Sequence, residues 1–145
     1  MLEAAIVLPV LLALVLFLFD LGLGVQRYHQ VCEAARQGAR FAIVHGQLAP
    51  PALPQWGPGT ISVPATAVGV PIVDHLRRGD LNQLLDPGYL SGLSLPNTQI
   101  TVEWSDGSTE IGKRVRVTVT TPYQPIVTLG QAYTLTASST MQIAH

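Results

Sequence analysis

The sequence predicts an α+β protein, in which one long N-terminal helix, apolar in its first half and amphipathic in its second, packs on a small antiparallel β-sheet. Three observations lead there. An unbroken apolar run from Ala4 to Phe19 passes through Asp20 into a polar-striped segment that ends at Val44. A stretch rich in Pro and Gly then stops the helix, and the final part of the chain alternates apolar and polar residues with period two. The expected organisation is a helix over 1–46, a connector over 47–60 and a small α+β domain over 61–145. A chain of 145 residues has room for one anchor and one such domain, which excludes a large enzyme.

Charged residues make up 12% of the chain against roughly 25% in a typical soluble protein, because the apolar excess is concentrated in the N-terminal segment. A net charge of −1, with no long block of Lys or Arg, gives no field to gather a polyanion, so nucleic acid is not an expected partner. Cys32 is the single cysteine, so the domain is held by packing and hydrogen bonds rather than an internal disulfide.

A spanning helix needs about 20 mostly apolar residues, and the segment from about Ala4 to Val25 supplies them with one interruption, Asp20. With the midplane near Leu12, Glu3 and Asp20 each lie about 12 to 14 Å away, at the two edges of a hydrocarbon core about 30 Å thick. The acidic start and the length of the run argue against a cleaved signal peptide. Pro9 removes one backbone donor within the run, which membrane helices tolerate as a kink. Membrane lipid is thus the first expected partner.

Beyond Asp20, Val25, Tyr28, Cys32, Ala35, Ala39 and Ala42 follow at spacings of 3 and 4 and predict one covered helix face of small residues. Gln26, Arg27, Gln30, Glu33, Arg36, Gln37 and Arg40 occupy the other faces. Gly22, Gly24 and Gly38 each cost about 1 kcal/mol of helix propensity relative to Ala, which suggests close contacts or local flexing there. His45-Gly46 carries the stop signal.

The connector contains Pro50, Pro51, Pro54 and Pro58, with Trp56 expected to staple it onto the domain. A short helix is expected over Pro71–Arg78, with Pro at its start, Asp74 in the first turn, Arg77 and Arg78 in the last, and Ile72, Val73 and Leu76 buried. Asp80 could cap a further turn through Leu85, before Asp86-Pro87-Gly88. Three strands follow: Gln99–Trp104, ended by the turn pair Asp106-Gly107; Lys113–Thr121, the clearest alternation, closed by Pro122 and Pro125; and Tyr133–Ile143. One-sided strands make an antiparallel sheet whose covered face meets the helix.

No motif for catalysis or cofactor binding is present, so neither an active site nor a cofactor is expected. His29, Cys32 and Glu33 have the i, i+3, i+4 spacing of metal ligands, but Cys32 belongs to the packing face and no spaced partner motif accompanies them. Asp74-His75 reads as a solvated helix end.

The segments Glu3-Ala4-Ala5-Ile6-Val7-Leu8-Pro9, Asp20-Leu21-Gly22 and Ala34-Ala35-Arg36-Gln37-Gly38-Ala39-Arg40 together resemble the N-terminal half of TadE-like pseudopilins. The resemblance covers about 42 residues directly, and Val115 to Ile143 fits the family's β-rich C-terminal part more loosely. It implies a pilin-like architecture and a structural role as a pseudopilin or minor pilin of a tight-adherence pilus or secretion apparatus. It implies as partners other pilin-like subunits, met through the helix, an inner-membrane assembly platform, and a prepilin peptidase for any basic leader, although Glu3 stands at position 3 rather than at the +5 position of processed members. It singles out Glu3, Pro9, Asp20, Arg36, Gly38 and Arg40 for helix register and packing. Arg27, Arg36 and Arg40 all follow the span, so the positive-inside rule alone would place the domain in the cytoplasm. The resemblance implies the reverse, and the expected location is the inner membrane with the domain outside, or the cell surface or pilus.

Two functions stay open on these grounds. In one the helix is a polymerising element and Glu3 a register key, since a carboxylate inside a helix bundle selects a cation opposite it. In the other the helix is a permanent anchor for an extracytoplasmic binding module, and Glu3 is an interfacial carboxylate drawn toward water.

Overall fold

The computed structural model describes residues 2–46, 56–78, 88–91, 93–125 and 131–144. Helix α1 runs unbroken from Leu2 to Val44, through Pro9, and at 1.5 Å per residue is about 65 Å long. Four strands follow: β1 (Thr60–Pro64), β2 (Gln99–Trp104), β3 (Arg114–Tyr123) and β4 (Tyr133–Gln142). They form one antiparallel sheet in the order β1-β2-β3-β4, with a short helix α2 (Pro71–Arg78) between β1 and β2. This is the expected α+β fold, a long helix on a small antiparallel sheet.

Alternation sorts the two faces of the sheet. Ile100, Val102 and Trp104 of β2 and Val115, Val117, Val119 and Thr121 of β3 are buried, and α1 lies across β3 and β4 on that side. The opposite face is a polar grid in which Ser62, Thr101, Thr118 and Ser138 line up across all four strands. Its hydroxyls bond to one another, as in Ser62 to Thr101 at 3.1 Å. Helix α2 buries Ile72, Val73 and Leu76, the three residues expected to face inward. Its exit is sharp: Tyr89 and Leu90 both donate backbone N–H bonds to the Leu76 carbonyl. Gly88 allows this with φ near +80°, because a Cβ there would collide with the Arg77 carbonyl. The further turn expected through Leu85 lies outside the described residues.

Strand β1 was not among the three expected strands. It has five residues, includes Pro64 and pairs only with β2, so it is an edge strand whose alternation is too short to stand out beside the connector. Strand β3 also runs past the expected stop at Thr121 to Tyr123. Its pairing with β2 ends at Thr120, so Pro122 needs no N–H on that side and pairs with Thr134 of β4.

Trp56 is the expected staple. Its Nε1 donates to the His45 carbonyl at 2.6 Å, and its ring stands edge-to-face with those of Phe41 and Trp104. Phe41 is also stacked against His45 and His75, so one aromatic cluster joins the end of α1 to α2, the connector and β2.

Two local contacts make sharp predictions. Thr98 Oγ1 donates to the Ser94 carbonyl at 2.8 Å and lies 2.8 Å from Thr121 Oγ1, with both residues buried. A hydroxyl has one proton, so Thr121 must be the donor of the second bond. Thr98→Val therefore strands the buried Thr121 hydroxyl, whereas Thr121→Val leaves the Thr98 donor bonded. Urea unfolding of the detergent-solubilised chain should show a loss of about 1 to 3 kcal/mol for the first and about 1 kcal/mol or less for the second; equal losses would contradict this donor assignment.

In the β2–β3 turn, the Asp106 carboxylate accepts bonds from the Arg114 guanidinium at 2.8 and 3.3 Å and from its backbone N–H at 2.9 Å. The guanidinium bond foremost, then the backbone bond, lowers the Asp106 pKa from 3.8 to about 2. A depressed carboxylate pKa stabilises the fold fully above 3.8, and this contribution fades as pH falls through about 2. Carboxyl-carbon NMR should find the Asp106 midpoint near 2 and, in Arg114→Gln, a return toward 3.8.

Candidate functional site

The residues singled out from the sequence lie on α1, so the site is built along that helix. Every residue from Ile6 to Phe19 is exposed, with Ile6 at 62% and Phe19 at 67%, so the domain covers none of this apolar stretch. Its mean hydropathy reaches 2.7, and the helix is long and apolar enough to cross a membrane. Cover begins abruptly at Asp20, which is only 6% exposed and whose backbone carbonyl accepts the Tyr123 hydroxyl at 3.0 Å. From Leu2 to Phe19 the helix rises about 27 Å, close to the roughly 30 Å thickness of a hydrocarbon core.

Above Asp20 the helix turns one face to the sheet. Val31, Ala34, Ala35, Ala39 and Ala42 are buried, and Gly38 lies under Val117, where an added Cβ would stand 2.9 Å from Val117 Cγ1. The expected stripe holds for Ala35, Ala39 and Ala42 but not lower down. Val25 is 58% and Tyr28 47% exposed, Cys32 is half-buried, and Val31 takes the fully covered place. The reason is the finite length of the sheet, whose lower rim is the directly paired Tyr123 and Tyr133. Below that rim the helix face opens into a groove of about 390 Å³. Phe17, Asp20, Leu21, Gly24, Val25 and Tyr28 line its helix side, and Tyr123, Pro125 and Tyr133 its sheet side.

The three helix glycines differ in what they allow. Gly38 permits a contact that no side chain would, and a Cβ at Gly24 would meet the Tyr123 ring at an ordinary 3.5 Å. Gly22 has open space around its Cβ position and lines a second notch of about 370 Å³ with Val15, Leu18, Phe19 and Leu23. Arg36 is paired with Glu33 at 3.7 Å, with both side chains well exposed, and Arg40 is exposed. Neither contributes to the helix–sheet contact. Pro9 sits exposed within the bare stretch. Glu3 belongs to the first turns of α1, and its side chain lies outside the described residues. Asp20 and Arg27 line different cavities, each of which Tyr123 also lines. The structure thus brings Asp20 to the junction and Gly38 to the sheet, and leaves Pro9 on the bare helix.

Among the described residues no cluster of three or more His, Cys, Asp or Glu side chains is placed to hold a metal ion. The site residues that sequence reasoning missed are Tyr123, Pro125 and Tyr133. Their signal was two tyrosines flanking the β3–β4 connection, with prolines at 122 and 125 on one side.

Residues 1–40 match the family model described as TadE-like protein. Over these residues the chain is similar to TadE-like proteins. The match runs from the bare stretch to Arg40 within the covered half of α1 and stops short of the sheet. The matched residues are less than a third of the chain and lie on the helix that is long and apolar enough to cross a membrane. No curated protein and no solved structure matches the chain.

The Gly38 contact yields a direct test. Gly38→Ala gains about 1 kcal/mol of helix propensity but forces a methyl group against Val117, an overpacking that costs about 1 to 3 kcal/mol. The thermal midpoint of the solubilised chain should fall, and the fall caused by Gly38→Ala should be smaller in a Val117→Ala background than in the unaltered chain. By contrast, Gly22→Ala should leave the midpoint unchanged or raised.

Proposed function

We propose that this chain is a pseudopilin or minor pilin, a structural subunit whose bare helix is a membrane anchor before assembly and a packing element afterwards. The observation that carries this reading is the continuity of α1. One unbroken helix presents an uncovered apolar half of bilayer length and a second half locked to the sheet through small residues. A helix that served only to tether would need no rigid extension into the domain, whereas a subunit stacked through its helix does. The TadE-like match over the same segment supports the reading. Its partners are then membrane lipid, other pilin-like subunits, the inner-membrane platform that moves them and, where a leader exists, a prepilin peptidase. The domain lies outside the cytoplasmic membrane. The role is non-enzymatic and uses no cofactor.

Glu3 supplies the register in this proposal. In a bundle of apolar helices its carboxylate is costly unless a cation, such as a neighbour's N-terminal amine, lies opposite, so only one axial stagger is favoured. In the competing role of a permanently anchored binding module, the Trp56 loop or an edge of the sheet would meet the partner; the Trp56 ring is engaged with His45, Phe41 and Trp104.

Glu3→Gln tests the proposal in the native host. Breaking a buried charge pair costs about 3 to 5 kcal/mol, so incorporation into pili or the secretion apparatus should fall by more than ~100-fold while the membrane-inserted amount is unchanged. Normal assembly by the variant would sink the register key.

A further inference from the structure

The groove below the sheet rim lies at a depth set by the helix. If the hydrocarbon core takes Leu2 to Phe19, the next two turns, Asp20 to Tyr28, rise about 12 Å through the headgroup zone. Three of the chain's four tyrosines converge there: Tyr28 from α1, Tyr123 from the end of β3 and Tyr133 from the start of β4. Tyrosine suits that depth, with an apolar ring for the acyl side and a hydroxyl for the wet side. Tyr28 and Tyr133 are about half exposed, and Leu21 and Val25 beside them are more so. This apolar surface continues without a break into the bare stretch that ends at Phe19. A gap of about 390 Å³ is also within the usual ~300 to 1,000 Å³ of small-molecule sites.

We propose that the groove seats the glycerol end of one phospholipid acyl chain, from the leaflet that faces the domain. The lipid lies between Leu21 and Val25 on the helix and the Tyr123–Tyr133 pair on the sheet, so the domain rests on the bilayer surface at a fixed height. The argument for lipid as occupant is continuity: the groove opens onto the surface that the anchor presents to acyl chains. The proposal rests on the anchor reading of α1 and goes beyond it, since an anchor needs only its bare stretch among acyl chains and requires no lipid contact from the sheet.

The test uses the unaltered sequence in nanodiscs of phosphatidylethanolamine and phosphatidylglycerol, with 3-fluorotyrosine in one sample and 4-fluorophenylalanine in another. Lipid carrying a nitroxide high on its acyl chain is the probe, read by fluorine NMR, with tyrosine signals assigned by single Tyr→Phe substitutions. The signals of Tyr28, Tyr123 and Tyr133 should be lost on adding the nitroxide lipid, while that of Tyr89, on the α2 side of the domain, persists. Phe17 and Phe19 report on the anchor in the same way, with Phe41 as their distant control. Loss at Phe17 and Phe19 with all four tyrosines unaffected would overturn the lipid seat and leave the anchor standing. No loss at either phenylalanine would overturn both. Tyrosine losses that disappear at one chain per disc would overturn it in favour of a second copy as the occupant.

Discussion

Gly38 lies so near Val117 that a methyl group would not fit between them without one side moving, and the rest of the domain is arranged around that approach. With Ala34, Ala35, Ala39 and Ala42, it gives α1 a face with little beyond backbone, against which the valines of β3 settle directly. Helix α2 then closes the same line from the side: its Ile72 and Leu76 lie 3.6 Å from the place a Gly38 Cβ would take. A wider helix face would lift the sheet, open the α2 contact and separate Phe41 from His75 and Trp56. The hydrophobic core of this small domain is therefore built around the thinness of one helix.

The elements with a strong period were legible in the sequence. Strand β2 was read to the residue, β3 and β4 within a few residues, and α2 by its proline start, charge order and three buried residues. Strand β1 escaped because an edge strand of five residues gives only two inward positions, Ile61 and Val63, which is too few for alternation to declare itself. The helix stripe was right in its upper part and wrong below, since spacing shows which residues share a face but not where a covering sheet stops. Val25 and Tyr28 share that face and still stand open, because the strands end at Tyr123 and Tyr133.

The same limit hid the groove. Tyr123 and Tyr133 are ten positions apart in the chain and meet only because β3 and β4 pair in the register that sets them opposite one another. Asp20, by contrast, was legible as a boundary from sequence, where it ends the apolar run. The structure gives that boundary a second meaning, since the first covered residue of α1 from Ile6 onward is also the one whose carbonyl receives the Tyr123 hydroxyl. One residue marks both the end of the unbroken apolar run in the sequence and the start of the tertiary contact.

The unbroken course of α1 has a mechanical consequence. A chain with a hinge between anchor and head would let each half turn independently, whereas here both halves share one axis from Leu2 to Val44. Any axial displacement of the lower half is delivered to the head in full, and rotation by one residue, about 100°, carries the whole sheet round by the same angle. Tension along the molecule falls on backbone hydrogen bonds aligned with the pull, and reaches the head as shear along the Gly38–Val117 line rather than as peeling at one end. The molecule behaves as a rigid rod with a fixed head, so the orientation of its sheet in any larger structure is decided by how the rod is set.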